Sequence, residues 1–169
     1  MYKTLSIVVC LTFPVLIASA QQRPAQQAIN QDVWIPFMQS YANFDTDAFM
    51  ALHTEDVIRI VRDGGDIILG EEYRNGQDRN NKRSKEAGIE RRIELCFLER
   101  LAREEIAFES GYYKVISKRP DQEEQTFYGH FHVILKKVEG KWKLWVDSDT
   151  SHNGTVTEED FLSGKLLRL

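Results

Sequence analysis

The chain is predicted to be an α+β domain: a cone-shaped, curved antiparallel sheet with N-terminal helices packed on its concave face. Three observations predict it. Val33, Trp34, Phe37, Met38 and Tyr41 recur at helical spacing near the start. Asp63-Gly64-Gly65-Asp66 separates two short β-rich runs, as a hairpin turn does. From Ile89 onward, long β segments follow one another with short polar breaks.

The chain opens on Met1-Tyr2-Lys3, an apolar run from Leu5 to Ile17, and Ala18-Ser19-Ala20. A basic start, an apolar core and a small-x-small site describe a secretory signal peptide over 1–20, cleaved near Ala20. Cys10 lies inside the apolar run without the small residues that a lipoprotein site places before its cysteine, so no lipid anchor is expected. A periplasmic or secreted location is the consequence. Cleavage leaves Cys96 without a disulfide partner, and it reads as a buried apolar residue.

The formal charge of −4 becomes −5 once Lys3 is removed, which disfavours binding to nucleic-acid phosphates. No later apolar run is long enough to span a bilayer, so no stable membrane association is expected after cleavage.

Residues 21–28 are Gln-rich and predict a disordered leader, with one domain over 29–169. The first helix comes next, with Asn30 or Asp32 as its N-cap and Pro36 either opening or kinking it. Asp45 or Thr46 caps a second, short helix that buries Ala48, Phe49 and Leu52 and closes at His53. Val57 to Arg62 and Ile67 to Gly70 form the hairpin. Glu71 to Ala87 is polar except for Tyr73, and predicts a solvated helix interrupted near Gly76 and ended near Gly88. Its Lys82, Arg83 and Lys85 are interspersed with acids and read as a solvated face. Strands are then expected over Ile89 to Leu101, Ile106 to Lys118, Thr126 to Val138 and Lys141 to Thr150, in an antiparallel meander.

Three stretches carry a family resemblance. They are Tyr41-Ala42-Asn43-Phe44-Asp45-Thr46-Asp47 leading to Ala51-Leu52-His53-Thr54-Glu55-Asp56-Val57; Gly129 to Lys137; and Glu139-Gly140-Lys141-Trp142-Lys143-Leu144 followed by Val146-Asp147. Together with the element order they resemble the nuclear transport factor 2-like (cystatin-like) superfamily, and within it the SnoaL-like branch with its exported domains of unknown function. The resemblance implies a half-barrel with an internal pocket and, commonly, dimers formed through the sheet. It implies no one activity, because members include isomerases, dehydratases, cyclases, epoxide hydrolases and pure binders.

A two-residue loop at Glu139-Gly140 would pair Leu135 with Leu144 and Val133 with Val146, and so set His132 opposite Asp147 and His130 opposite Asp149. A one-residue bulge would undo these pairs. An imidazole oriented by a carboxylate is the minimum general base, so His132 and Asp147 are the candidate catalytic pair. The other reading puts both pairs on the wet or dimer-facing side of the sheet. Trp34, Tyr41, His53, Phe97, Tyr113 and Phe131 are the expected pocket residues.

Asp149, Ser151, Asn153 and Asp160 have the spacing of a calcium loop, but a strand precedes them, and Thr157 with Asp160 equally forms a capping box. No metal or cofactor is expected. The expected function is binding of a small organic ligand, with a cofactor-independent lyase, isomerase or hydrolase as one alternative and an interaction module as another. A homodimer is expected through the outer sheet face, where Ile134 and Trp145 would otherwise be bare.

Overall fold

The computed structural model describes residues 23–167, so the expected signal peptide lies outside the described residues. Helix α1 covers residues 23–42, although composition predicts a leader up to residue 28. Ala28 packs against the core and Gln26 Nε2 donates to Arg100 O, contacts that a composition argument cannot see. Asn30–Trp34 form a π-helical turn, after which Ile35–Ala42 resume the α-helix with Pro36 in its first turn. The wider turn lets the helix pass a residue that has no N–H to donate. Neither Asn30 nor Asp32 is an N-cap: Asn30 Oδ1 accepts from Arg100, and Asp32 Oδ2 accepts from the backbone N–H of Trp142.

Helix α2 (Thr46–Ala51) is capped by Asp45, whose side chain accepts from the N–H of Ala48. It buries Phe49 and Met50 while Ala48 stays exposed. Strands β1 (His53–Val61) and β2 (Asp66–Leu69) form the hairpin. Helix α3 (Gly70–Glu86) runs unbroken through Gly76. It is held by tertiary contacts: Tyr73 is buried, and buried Asn81 donates to Thr46 Oγ1 and accepts from Arg91.

Strands β3 (Glu90–Arg103), β4 (Ile106–Lys118), β5 (Gln125–Val138) and β6 (Lys141–Thr150) form the expected antiparallel meander. Helix α4 (Glu158–Leu162) carries the Thr157–Asp160 capping box, and β7 (Lys165–Leu166) adds to β3. The sheet order is β2-β1-β6-β5-β4-β3-β7, with β1 parallel to β6. Trp34, Phe97, Phe131, Leu135, Trp142 and Leu144 form the main core between α1 and the concave face. Buried Glu109 accepts from Trp34 Nε1 and from Arg100 Nε, the latter at 2.8 Å, and ties α1 to the sheet.

The register of the last hairpin decides which polar side chains enter the cone. Glu139 and Gly140 both take left-handed φ, as a tight two-residue loop requires, and Leu135 pairs with Leu144. A bulge then intervenes. Ile134 pairs with Val146, Val133 with Asp147, His132 with Ser148, Phe131 with Asp149 and His130 with Thr150. Trp145 is the extra residue, and beyond it both aspartates turn to the concave face while the histidines stay outside.

Candidate functional site

Between α1, α3 and the concave face lies a cavity of about 370 Å³. Arg59 enters it because β1 alternates, with buried Val57 and cavity-lining Val61 sharing its face. The parallel pairing of β1 with β6 sets Arg59 beside Asp147. Its Nη1 lies 3.1 Å from Asp147 Oδ1 and its Nη2 lies 2.6 Å from Asp149 Oδ1. Tyr73 of α3 donates to Asp147 Oδ2 at 3.1 Å, and Tyr113 of β4 donates to Asp149 Oδ2 at 3.2 Å. Tyr113 gets there by lying across Gly129, where any Cβ would overlap its ring.

Burial raises the Asp147 carboxyl, but the Arg59 charge, the His53 ring and the Tyr73 hydroxyl outweigh it and hold Asp147 well below the usual carboxylate range. Asp149 goes the other way: burial, and then the neighbouring charge of Asp147, raise it against the pull of Arg59 and Tyr113. Two carboxylates on one guanidinium thus differ in role, one a fixed charge and the other a group that exchanges its proton more readily. Burial also raises the Tyr113 and Tyr73 hydroxyls, which are held as donors.

Of the six pocket residues read from the sequence, the structure places Trp34, Tyr41, Tyr113 and Phe131 in the cavity lining, and His53 and Phe97 outside it. Phe97 is packed behind Trp34 and Phe131 in the core. His53 does not close α2 but opens β1, buried, with its Nδ1–H donating to Phe49 O of the helix at 2.9 Å. Its Nε2 faces Asp147 Oδ2 at 3.8 Å and has no hydrogen-bond partner.

The candidate pair of His132 and Asp147 does not form. The bulge at Trp145 sends Asp147 into the cavity and leaves His132 outside, across from Ser148. There it joins His130, with ring centroids 4.3 Å apart, and His130 also stacks on Tyr112 and His152. Burial lowers His130 to about 4, helped by His132, His152 and Arg62, and lowers His132 for similar reasons.

Nor do the calcium candidates converge. Asp149 is held by Arg59 inside the cavity, and Asp160 caps α4. Asp63 organises the loop instead, accepting from the hydroxyls of Thr150 and Ser151 and the N–H groups of Ser151 and Asn153. Among the described residues, no three His, Cys, Asp or Glu side chains are placed to hold a metal. Cys96 is buried, its thiol raised by burial and donating to Phe161 O.

Sequence reasoning misses Arg59 and Tyr73 as site residues, and it points to Asp149 for a different chemistry. A signal for Arg59 is present in the sequence: it is a lone charge in Val57-Ile58-Arg59-Ile60-Val61, on the face that alternation buries.

No protein-family model and no curated protein matches the chain. Solved structures do match it. A conserved protein from Planctomyces limnophilus superposes with a TM-score of 0.64 at 20% identity, over 75% of this chain and 94% of its own. An NTF-2 like protein of unknown function from Shewanella oneidensis gives 0.60 at 20%, over 74% and 98%. The chain has the nuclear transport factor 2-like fold. A ketosteroid isomerase-like protein from Erwinia carotovora shares this fold, with a TM-score of 0.56 at 13% identity over 73% of this chain and 92% of its own. At such identities the likeness extends to the fold alone.

Proposed function

We propose that this nuclear transport factor 2-like domain binds a small organic molecule in its cone. One observation carries the reading: an aromatic-walled cavity of about 370 Å³ ends on a few convergent polar groups, Arg59, Asp147, Asp149 and Tyr113. A ligand that binds only the folded protein must raise its melting temperature. The test is a thermal-shift screen of aromatic and alicyclic compounds of different charge. Stabilisation that is lost in a cavity-filling Val133→Trp variant with an intact fold supports the proposal; no shift from any compound overturns it.

A second reading is cofactor-independent acid–base catalysis, favoured by the opposite displacement of Asp147 and Asp149. Asp149, raised and hydrogen-bonded to Tyr113, then transfers the proton in place of His132. Turnover that survives Asp149→Asn would remove this reading.

Export and dimerisation belong to the same proposal. Export is supported by the leader sequence and is checked by N-terminal sequencing of the secreted protein. For the dimer, Trp145 offers less than expected, because its Nε1 donates to Asp56 and Lys136 lies over its ring. The support comes instead from a row that crosses the outer face: Leu101, Phe108, Ile134, Val146, Ile58 and Leu69 succeed one another through cross-strand pairs. Leu101 and Leu69 are exposed. Light scattering of the native protein and of Phe108→Glu measures the association.

A further inference from the structure

We infer that the cavity selects organic cations, amines or quaternary ammonium compounds bearing a small apolar body, over neutral and anionic molecules of the same shape. The inference rests on the cavity being a ligand site and adds the class of ligand.

Charge is the first argument. Among the described residues that line the cavity, Arg59 is the one basic residue, and Glu72, Asp147 and Asp149 line it too. Both terminal nitrogens of Arg59 are already engaged, one by each aspartate. Arg59 thus sets one guanidinium charge against the two carboxyls it bridges, with Glu72 a third acid in the lining, so acidic groups outnumber basic ones around the cavity. Burial first, and the neighbouring Asp147 charge after it, raise the Asp149 carboxyl, so part of that shift is a like-charge repulsion that a proton relieves. A bound cation would remove it equally well.

Hydrogen-bond capacity is the second. At the floor most donors are engaged: Tyr73 donates to Asp147, Tyr113 donates to Asp149, Arg59 gives three of its five N–H groups to Asp147 Oδ1, Asp147 O and Asp149 Oδ1, and the indole N–H of Trp34 is turned away to Glu109. Each carboxylate oxygen takes one bond from these groups, although an ionised carboxylate offers about four acceptor sites. The floor therefore presents more acceptor sites than donors to whatever enters. An N–H⁺ or a polarised N⁺–CH₃ suits it, whereas a carboxylate or sulfonate would meet like charge.

The walls supply the third. Rings of Trp34, Phe37, Tyr41, Phe49, Tyr113 and Phe131 surround the space, and aromatic faces attract cations through their quadrupoles, more strongly when water is excluded. An apolar ligand gains from the same walls by burial alone, so the comparison that isolates charge is between isosteres.

The probes are phenyltrimethylammonium, its neutral isostere tert-butylbenzene, and benzenesulfonate, titrated into the native protein at about pH 8, where imidazoles are ordinarily neutral. The cation should bind about tenfold or more tightly than the neutral isostere, and benzenesulfonate should be the weakest. Asp149→Asn should remove most of that preference, read as the ratio of cation to tert-butylbenzene affinity within the variant, with circular dichroism confirming the fold. Equal binding of the cation and its isostere, or preference for the sulfonate, overturns the inference and leaves the ligand site standing. If none of the three binds, the inference fails, and the wider thermal-shift screen decides the ligand-site reading.

Discussion

The two faces of the central sheet both carry polar side chains and treat them in opposite ways. On the concave face, Asp147 and Asp149 are ion-paired through Arg59 and closed over by aromatic rings. On the convex face, His130, His132 and His152 cluster with Tyr112 and with no carboxylate beside them at ion-pair distance among the described residues, and His130 is held towards its neutral form. One residue of bulge at Trp145 separates these outcomes. Without it the same strands would pair His132 with Asp147, and the chemistry would lie on the other side of the sheet. A candidate site in a half-barrel is thus read from the parity of its strands before the identity of its residues.

The largest effect is expected at the concave centre. Arg59→Met leaves buried Asp147 and half-buried Asp149 without their shared cation and should cost about 3–5 kcal/mol, measured by urea unfolding at neutral pH. Loss of less than about 1 kcal/mol would mean that the face does not depend on its ion pair. Further protonation of the aspartates should recover part of the loss, so the variant should gain stability relative to the native protein as pH falls.

A smaller effect is expected where the two tyrosine–aspartate contacts are shaped. Gly129→Ala forces the Tyr113 ring off Asp149 and should cost about 1–2 kcal/mol. In a Tyr113→Ala background the same change should cost much less, and a double-mutant cycle measures the difference. Equal costs in the two backgrounds would place the role of Gly129 elsewhere.

The convex face should reveal itself through pH. His130 is lowered to about 4 in the folded protein against an ordinary value of 6.5, so the unfolded chain binds the proton more readily. Stability should therefore fall as pH drops from 6.5 towards 4, by about 1 kcal/mol after allowance for solvent screening. His130→Phe should flatten this limb in a series of melting curves. If the limb is unchanged, the acid response in this range arises from His132, which is also lowered.

Much of the architecture is legible from local chemistry. The three strands over Ile106 to Thr150, the loop at Glu139-Gly140, the Asp45 cap and the Thr157–Asp160 box all depend on residues within a few positions of one another. So does the inward setting of Trp142 and Leu144, which the turn fixes. The stretch Leu144-Trp145-Val146 breaks the alternation and is the local trace of the bulge, but three apolar residues in a row do not say which of them is extra.

By itself, then, the sequence determined the order of the main helices and strands, the Glu139-Gly140 turn, the Asp45 and Thr157–Asp160 caps and the register up to Leu144, because period and turn geometry are short-range. The tertiary structure decided the rest. Arg59 draws Asp147 and Asp149 inward from a strand about 90 residues away in the chain, and buried contacts hold residues 23–28 and the Gly76 turn helical against their composition. Placing a buried charge is a question of which partners can reach it. That is settled by packing between distant segments, which no window of sequence contains.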